Sequence, residues 1–336
     1  MQIAIHYRPN SFAERWINYC KRKDIPFKIV NCFDSNIIQQ LKGFDVLLWH
    51  HHQSEYKDIK VAHKVLFALE QAGVKVFPNF NTSWHFDDKI AQKYLLESLE
   101  VPTVPSYVFY EKKEAIAWAK STSYPKVFKL KGGASSSNVS LVYSSKSAIN
   151  KINRAFGKGF SLYNRWGGVK EAYRKYRKNK TKLKGLLWRI KLLFTSQEFA
   201  KQLGNEKDYV YFQEFIPNNT FDIRVIVIGG RAFALKRMVR ENDFRASGSG
   251  KILYDKAYFD DGIIKLSFEI NEKIKSKSCA LDFVIKDDKS LLVEISYGFA
   301  SKGYDRCVGY WDRSLNFHEG NFNPYGWMIE SVINKV

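Results

Sequence analysis

Ala280-Leu-Asp-Phe-Val-Ile285 and Leu291-Leu-Val-Glu-Ile-Ser296 are two short apolar runs near the end of the chain, and each contains one carboxylate. The polar segment Lys286-Asp-Asp-Lys-Ser290 separates them, as is typical of a tight turn between two strands. Because a buried carboxylate needs a partner, Asp282 and Glu294 on neighbouring strands predict a shared cation, with Mg²⁺ the natural choice. The alternative, from these two residues alone, is that each faces solvent on an alternating strand.

The composition is that of a globular protein. The 336 residues are 45% hydrophobic and 15% aromatic, enough to build a large core in two or three structural units. No run approaches the roughly 20 apolar residues that span a bilayer, and no secretory signal precedes the first strand-like run, so we expect a cytoplasmic protein. The four cysteines lack CxxC spacing, which favours reduced core thiols over a disulfide or a zinc site.

The early part of the chain alternates strand-like and helix-like segments, which predicts a parallel sheet with crossover helices. His50-His51-His52 follows the third strand at its carboxyl end, where open α/β sheets bind ligands. Three adjacent side chains cannot all reach one atom, so loop histidines without a ligand are the alternative. From Asp222 onward, alternating apolar runs predict an antiparallel sheet.

The loop Lys131-Gly-Gly-Ala-Ser-Ser-Ser-Asn138 lies between two predicted strands. It is therefore neither a Walker A loop nor a Rossmann fingerprint, since both of these open a helix. Small residues let backbone N–H groups approach an anion, and Lys129 and Lys131 add positive charge. The loop could thus cover phosphates, and a solvated hairpin is the alternative.

The order of these elements resembles that of the ATP-grasp enzymes. The resemblance rests on Lys89, Lys129 with the Gly/Ser hairpin, Gln213-Glu-Phe-Ile216, Asp222-Ile-Arg224, Lys236 to Arg245, and Asp282 with Glu294-Ile-Ser296. It covers roughly residues 85–145 and 209–300 and is closest to the branch that contains the ribosomal-protein glutamate ligases, which is related to the D-alanine–D-alanine ligases. The implied fold class is α/β and α+β. Its expected parts are an N-terminal parallel α/β pre-ATP-grasp domain (1–84), a central subdomain with a lid (85–212) and a C-terminal antiparallel α+β subdomain (213–336).

The resemblance implies how ATP would be bound. Lys89 and Lys129 would contact the α- and β-phosphates, and the hairpin would close over them. Glu214 and Ile216 would form a hinge whose backbone groups read the adenine edge. The implied ATP-binding residues are Lys89, Lys129, Lys131, Gly132, Gly133, Ser135, Ser136, Gln213, Glu214, Phe215, Ile216 and Asp222.

The resemblance also implies the catalytic and metal-binding residues. Arg224, Lys236 and Arg245 would surround the γ-phosphate and the acyl phosphate formed from it. Asp282, Glu294 and Ser296 would hold Mg²⁺, or Mn²⁺ in its place. The family usually has asparagine where this chain has Ser296, and a hydroxyl is a weaker ligand than an amide carbonyl. One firm Mg²⁺ site is therefore expected, and a second site would be weak.

A basic insertion of about 150–205 separates the lid hairpin from the hinge strand. Residues 151–191 contain fourteen Lys and Arg and one acid, a net charge of +13 out of +20 for the chain. Apolar residues at helical spacing within it predict a basic amphipathic helix: Leu183, Leu186, Leu187, Ile190 and Leu193. Three interpretations of this segment stay open. The apolar stripe packs on the enzyme, the helix lies on the anionic inner face of a membrane, or residues 151–194 bind a polyanion. Nucleic acid ranks below these, because no recognition motif accompanies the charge.

The expected function is an ATP- and Mg²⁺-dependent carboxylate–amine ligase that works through an acyl phosphate. The C-terminal part of the chain is rich in aromatic residues, with Tyr304, Trp311 and Trp327 among them. These rings suit the stacking of sugar rings, or else they pack against the last sheet. The substrate would accordingly be an acidic sugar or cell-surface polysaccharide precursor, or, by resemblance to the family, a peptide or amino acid. One alternative is a nucleotide-binding module with little turnover, which Ser296 favours because it replaces the usual asparagine ligand. The other alternative is an ATP-grasp kinase. The sequence leaves the oligomeric state open, a homo-oligomer included.

Overall fold

The computed structural model describes residues 1–132, 138–161, 204–239, 244–246 and 251–333, together with eight single positions between 169 and 188. The chain divides into two compact units. Unit one comprises Met1–Phe86, Ala91–Val104 and Ile216–Val336, and unit two comprises Asp87–Ile90 and Pro105–Phe215. The domain boundaries predicted after residues 84 and 212 lie close to two of these limits, and the division into three domains stays a prediction.

Unit one begins with alternating strands and helices. The strands are β1 (Ile3–His6), β2 (Phe27–Val30), β3 (Val46–Leu48) and β4 (Lys75–Phe77), and the helices are α1 (Phe12–Arg22), α2 (Ile37–Gln40), α3 (Tyr56–Gln71) and α4 (Phe80–Ser83). The strands form a parallel sheet in the order β2-β1-β3-β4. Ser11 caps α1 by accepting a hydrogen bond from the backbone N–H of Ala13, and Trp16 and Cys20 bury one face of that helix. The predicted parallel sheet with crossover helices is confirmed.

Helix α5 (Lys89–Ser98) precedes an antiparallel sheet in unit two. This sheet contains β5 (Ser106–Phe109), β6 (Lys126–Lys129), β7 (Val139–Val142) and β10 (Val210–Glu214), in the order β5-β10-β6-β7. Helices α6 (Lys112–Ser121) and α7 (Ser145–Ala155) bury Ala119 and Ile152 against Phe128 and Phe212 of the sheet. The short strands β8 (Phe160–Ser161) and β9 (Asn205–Glu206) pair with each other.

The remainder of unit one is a seven-stranded sheet in which the paired strands run antiparallel. Its strands are β11 (Phe221–Ile228), β12 (Arg231–Met238), β13 (Ile252–Leu253), β14 (Ser278–Lys286), β15 (Lys289–Ser296), β16 (Gly309–Asp312) and β17 (Phe317–Glu319). The order is β15-β14-β11-β12-β16-β17, with β13 paired to β12. A 3₁₀ turn (Lys256–Tyr258) and helices α8 (Asp261–Ile274), α9 (Ser301–Tyr304) and α10 (Pro324–Ile333) complete the unit. The predicted antiparallel C-terminal sheet is confirmed.

Alternation along β11 divides the core of unit one between the two faces of its large sheet. Ile226 belongs to a cluster that contains Trp16 of α1, whereas Val225 belongs to a cluster that contains Ile263 of α8. The first of these faces matters for function, because it continues into the polar residues described below. In the part of the chain that the structure describes, no helix is long and apolar enough to cross a membrane.

Candidate active site

Polar side chains meet on one face of the seven-stranded sheet, beyond the apolar cluster around Ile226. In the strand register, Arg224 on β11 lies opposite Asp282 on β14, and Asp282 lies opposite Glu294 on β15. On the other side, Asp222 lies opposite Arg237 on β12. Because directly opposite residues project from the same face of a sheet, these five side chains share one surface.

Two arginines link the carboxylates on this surface. Arg224 holds Asp282 at two points, through its Nε and through an Nη2–Oδ2 contact of 2.6 Å. Arg237 holds Asp222 at two points, at 2.6 and 2.7 Å, and also reaches Oδ2 of Asp282 at 2.9 Å. The Tyr304 hydroxyl lies 3.1 Å from Nη1 of Arg224. Two-point pairs of this kind fix the planes of both groups, so the surface is rigidly arranged.

The electrostatics of the network keep Asp282 and its arginine partners ionised. Burial would raise the pKa of Asp282, but the guanidinium groups of Arg224 and Arg237 hold that pKa at about 2. The same ion pair outweighs burial at Arg224 and raises its pKa well above the usual range. Asp282 is therefore a carboxylate at neutral pH, surrounded by positive charge.

The predicted metal site can be tested on its donor atoms. Asp282 and Glu294 offer two hard oxygen ligands from opposite positions, which suits a Mg²⁺ that also binds phosphate and water. The Ser296 hydroxyl is already used in a turn, since it donates to the carbonyl of Gly298 at 3.0 Å and accepts from its N–H at 3.2 Å. Among the described residues, no group of three or more His, Cys, Asp or Glu could hold a metal by itself. The two carboxylates thus fit one Mg²⁺ shared with a nucleotide, and a cation there would compete with Arg224 and Arg237 for Asp282.

Lys236 is not brought together with this network. It lies opposite Ile223, so it projects from the other face of the sheet, and its Nζ sits 3.7 Å from the centroid of the Phe221 ring. The prediction that Lys236 joins Arg224 at a γ-phosphate is therefore corrected, because strand alternation turns the side chain away.

Arg237 belongs to this network, although the sequence analysis assigned it no role. Its position opposite Asp222 could have been predicted from the turn that precedes β12. Gly229 and Gly230 form the two-residue turn between β11 and β12, and both have positive φ values, 54° and 84°. A two-residue hairpin turn fixes the register of its strands, and counting back from it places Arg237 opposite Asp222.

Arg245 lies in the short described piece 244–246, where it is half-buried with its guanidinium carbon 6.0 Å from the Phe244 ring centroid. The neighbouring Asn242 and the Gly/Ser stretch after Ala246 lie outside the described residues. The role predicted for Arg245 stays a prediction.

Unit two carries the residues predicted to bind phosphate. Lys89 and Lys129 are both buried, and the N–H of Lys89 donates to the carbonyl of Lys131 at 3.0 Å. The N–H of Lys131 donates to the Tyr209 hydroxyl at 2.7 Å, which ties the base of the predicted lid to the chain just before β10. Gly132 is described, whereas Gly133, Ser135 and Ser136 lie outside the described residues.

The predicted adenine hinge follows strand β10. The Glu214 side chain is engaged on the helix-covered face of the sheet, where Oε1 accepts from Lys126 at 2.6 Å and from the Tyr107 hydroxyl at 3.0 Å. Gln213 projects from the opposite face, as Lys129 does, and its side-chain amide donates to the Ser106 hydroxyl at 3.0 Å. With the Glu214 side chain occupied, a hinge here would act through backbone groups. Phe215 and Ile216 are half-buried and follow directly.

Three rings of the aromatic tail are buried in the core. Trp311 packs in the cluster around Val225, and Tyr304 and Trp327 pack in the cluster around Ile226. The sugar interpretation of these three rings is therefore corrected, because buried faces cannot stack on a sugar.

Comparisons with known proteins agree with this architecture. Residues 189–310 match the model of the RimK-like ATP-grasp domain. The α-aminoadipate–LysW ligase LysX of Saccharolobus solfataricus is 24% identical over 273 residues, which are 80% of this chain and 78% of that protein. Among solved structures, a RimK domain ATP-grasp protein of Sphaerobacter thermophilus aligns with 99% of this chain and 100% of its own, at 16% identity and a TM-score of 0.56.

The D-alanine–D-alanine ligase of Bacillus anthracis, in complex with ATP, aligns with 99% of this chain and 95% of its own, at 13% identity and a TM-score of 0.57. By their names, this protein and LysX are ligases, which agrees with the predicted class of enzyme. Residues 189–310 thus resemble a RimK-like ATP-grasp domain, and the chain has the fold of the ATP-grasp structures that it matches.

Proposed function

We propose that the protein is an ATP- and Mg²⁺-dependent carboxylate–amine ligase that activates its acid as an acyl phosphate. The observation that carries this proposal is the polar surface formed by five side chains: Asp222, Arg224, Arg237, Asp282 and Glu294. It combines fixed guanidinium groups with two carboxylates suited to a metal, as transfer of a phosphoryl group to an acid requires. The names of the ligase relatives support the same reaction class.

In the proposed reaction, an oxygen of the substrate carboxylate attacks the γ-phosphorus of ATP, and the bond from that phosphorus to the β–γ bridging oxygen breaks. ADP leaves, and an amine then attacks the acyl carbon, loses a proton and displaces inorganic phosphate. Negative charge shifts between oxygens in both steps, so Arg224, oriented by Asp282 and Tyr304, is our candidate for stabilising it. Mg²⁺ would screen the phosphate charges when bound.

Lys89 and Lys129 are our candidates for neutralising the remaining phosphates. Both are buried lysines in unit two, and a buried ammonium gains from an anionic partner. The backbone around Glu214 and Ile216 is the proposed adenine hinge. The roles of Lys131, Gly132, Asp222 and Arg245 follow the resemblance to the family and rest on it.

An ADP-release screen over pairs of acids and amines tests this function. It should include α-aminoadipate, which the name of the LysX relative suggests, as well as glutamate and uronic acids for an acidic-sugar or polysaccharide-precursor substrate. We expect ADP release that needs Mg²⁺, an acid and an amine together, and its loss in Glu294→Gln with the fold retained. A wild-type protein that binds ATP but turns over with no pair would support the nucleotide-binding module instead.

A second proposal concerns peripheral binding to an anionic surface. Leu183, Leu187 and Trp188 have helical backbone, and the exposed fractions of these residues lie between 51% and 55%. Exposure at these positions disagrees with an apolar stripe packed on the enzyme, and the surrounding segment is strongly basic. Leu186, Ile190 and Leu193, the rest of the predicted stripe, lie outside the described residues.

Deletion of residues 170–194 tests this second proposal. We expect the deletion to abolish sedimentation with phosphatidylserine vesicles and to spare ATP binding. Equal sedimentation of the deletion variant and the full chain would contradict it, and binding to a soluble acidic polysaccharide without vesicle binding would favour the polyanion alternative.

A further inference from the structure

A short pair of strands in unit two has no role in the chemistry proposed so far. Strands β8 and β9 pair antiparallel, with Phe160 opposite Glu206 and Ser161 opposite Asn205. In sequence they enclose residues 162–204, which make up most of the basic insertion. Two strands of two residues each are too short to be stable on their own hydrogen bonds, so other contacts must hold them in place.

The segment that follows helix α7 holds this pair of strands. The Asn205 side-chain amide donates to the carbonyl of Lys158 at 2.7 Å. Gly159 is buried, and a Cβ built on it would lie only 2.6 Å from the carbonyl oxygen of Glu206. Real Cβ atoms do not come this close to another atom, so only glycine fits at this position. The place of Glu206 therefore depends on close packing against Gly159.

The Glu206 side chain reaches a tyrosine that directly precedes β10. Its Oε2 lies 2.9 Å from the hydroxyl of Tyr209, and because a carboxylate can only accept, the hydroxyl donates its proton to Glu206. Burial raises the pKa of Tyr209 far above its usual range, so the hydroxyl keeps that proton. Glu206 thus directs the proton of the hydroxyl toward itself and leaves the lone pairs of the oxygen to accept.

The Tyr209 hydroxyl accepts a hydrogen bond from the backbone at the end of β6. The donor is the N–H of Lys131, at 2.7 Å. The carbonyl of Lys131 in turn accepts the N–H of Lys89 at 3.0 Å. Lys89 is the first residue of α5, and an N–H at this position has no partner inside its own helix. Lys131 therefore connects Tyr209 to the start of α5.

Both lysines that we assign to the phosphates depend on this connection. Lys89 begins α5, and Lys129 ends β6 two residues before Lys131. The two lysine side chains are buried, so close packing makes each of them follow its backbone. A shift of the Lys131 backbone would thus move Lys89 relative to Lys129, whereas cations that bind neighbouring phosphates must keep their spacing.

We propose that Glu206 and Tyr209 are positioning residues for nucleotide binding. They hold the backbone of Lys131, and through it they hold Lys89 and Lys129 at the spacing that the phosphates of ATP require. The β8–β9 pair thereby supports the ATP site from the base of the basic insertion. The assignment of the two lysines to ATP rests on the proposed function, and the contacts that position them all lie in unit two.

The test measures the dissociation constant of ATP with Mg²⁺ by isothermal titration calorimetry, with neither acid nor amine present. Tyr209→Phe leaves the N–H of Lys131 without its acceptor and should weaken ATP binding about tenfold. Glu206→Ala should weaken it as well, and Glu206→Gln, which keeps an acceptor oxygen, should restore most of the affinity. Urea unfolding of each variant is measured in parallel, because a purely structural role would lower stability and leave the dissociation constant unchanged.

Two glycines at the ends of the enclosed stretch provide a matched pair of variants. Gly159 and Gly204 have φ values of 71° and 70°, so alanine is strained to the same degree at both positions. A Cβ at Gly159 meets the carbonyl of Glu206, whereas a Cβ at Gly204 has nothing within 4 Å. Gly159→Ala should therefore displace Glu206 and weaken ATP binding as much as Tyr209→Phe does. Gly204→Ala should bind ATP as the wild type does.

Equal dissociation constants for the wild type and a folded Tyr209→Phe would overturn the proposal. If Tyr209→Phe does not fold, the glycine pair decides, because equal ATP binding by Gly159→Ala and Gly204→Ala would overturn it in the same way. A wild-type protein that does not bind ATP would contradict both this proposal and the proposed function. A wild type that binds ATP, with the expected losses in the variants but no turnover of any acid and amine, would support the positioning role and contradict only the ligase reaction.

Discussion

Arg224 and Asp282 occupy opposite positions on β11 and β14 and are joined by a two-point ion pair, with Nη2 and Oδ2 2.6 Å apart. This pair explains two properties of the surface at once. It keeps Asp282 ionised, as a metal ligand must be, and it fixes the orientation of the guanidinium beside it. A cation that binds Asp282 has to share it with Arg224, so occupancy of the proposed metal site and the freedom of Arg224 would be coupled.

Asp282→Asn should lower the free energy of unfolding by about 3–5 kcal/mol, because it leaves Arg224 and Arg237 buried without their shared carboxylate. Urea unfolding followed by tryptophan fluorescence measures the change. The control is Asp287→Asn in the exposed turn of the same hairpin, where the residue has a φ of 49° that asparagine also tolerates. Similar stability losses in the two variants would show that the ion-pair network does not stabilise the sheet.

Lys236 and Arg237 are neighbours in sequence that the structure places on opposite faces. Arg237→Met should reduce kcat/KM by about a hundredfold, because it removes the group that links Asp222 to Asp282. Lys236→Met should change kcat/KM by no more than about threefold, since it removes only the contact with Phe221. The measurement is steady-state ADP release, and the reverse order of effects would refute the corrected assignment.

The Lys126–Glu214 pair should stabilise unit two. The Lys126 side chain is 2% exposed, and Glu214 also accepts from Tyr107. A double-mutant cycle with Lys126→Met and Glu214→Gln should give a coupling free energy above about 1 kcal/mol. The surface pair Lys207 and Asp208, cycled in the same way, should give a value near zero. Equal coupling energies for the two pairs would rule out a structural role for Lys126.

Acid should destabilise the protein through its buried histidines. Burial, with repulsion from Arg8, lowers the pKa of both His6 and His52 to about 4, and burial also lowers that of His51 well below 6.5. The unfolded chain therefore binds more protons than the folded chain between about pH 6.5 and about pH 4, so the free energy of unfolding falls as the pH falls. Asp58 acts in the opposite sense, because burial raises its pKa to about 6.

Urea unfolding at several pH values between about 7 and about 4 measures this slope. His52→Gln removes one of the titrating groups and should make the slope shallower by up to one proton. A free energy of unfolding that stays constant over this range would mean that the histidines take up protons as readily in the folded protein as in the unfolded chain.

The fold was accessible from the sequence because its signals are local. Strands such as Ile3–His6 and Phe27–Val30 are short apolar runs that alternate with helices, and this alternation predicted the parallel sheet that they form. Asp282 and Glu294 could be placed opposite each other because a short polar turn joins their strands. Three of the predicted site residues therefore project from the same face of the sheet: Arg224, Asp282 and Glu294.

What the sequence did not reveal depends on side-chain direction and burial. Lys236 and Arg237 differ by one position, and only the register of the hairpin decides which of them faces Arg224. Trp311 and Trp327 look equally suited to a sugar or to a core, and packing alone distinguishes these uses.

Hydroxylamine trapping tests the central claim most directly. With the acid found by the ADP-release screen, ATP and Mg²⁺, but with hydroxylamine in place of the amine, the account predicts one hydroxamate of that acid for each ADP released. Glu294→Gln should form neither product. ADP release that leaves the phosphate on a substrate hydroxyl, with no hydroxamate formed, would contradict the acyl-phosphate ligase and identify a kinase.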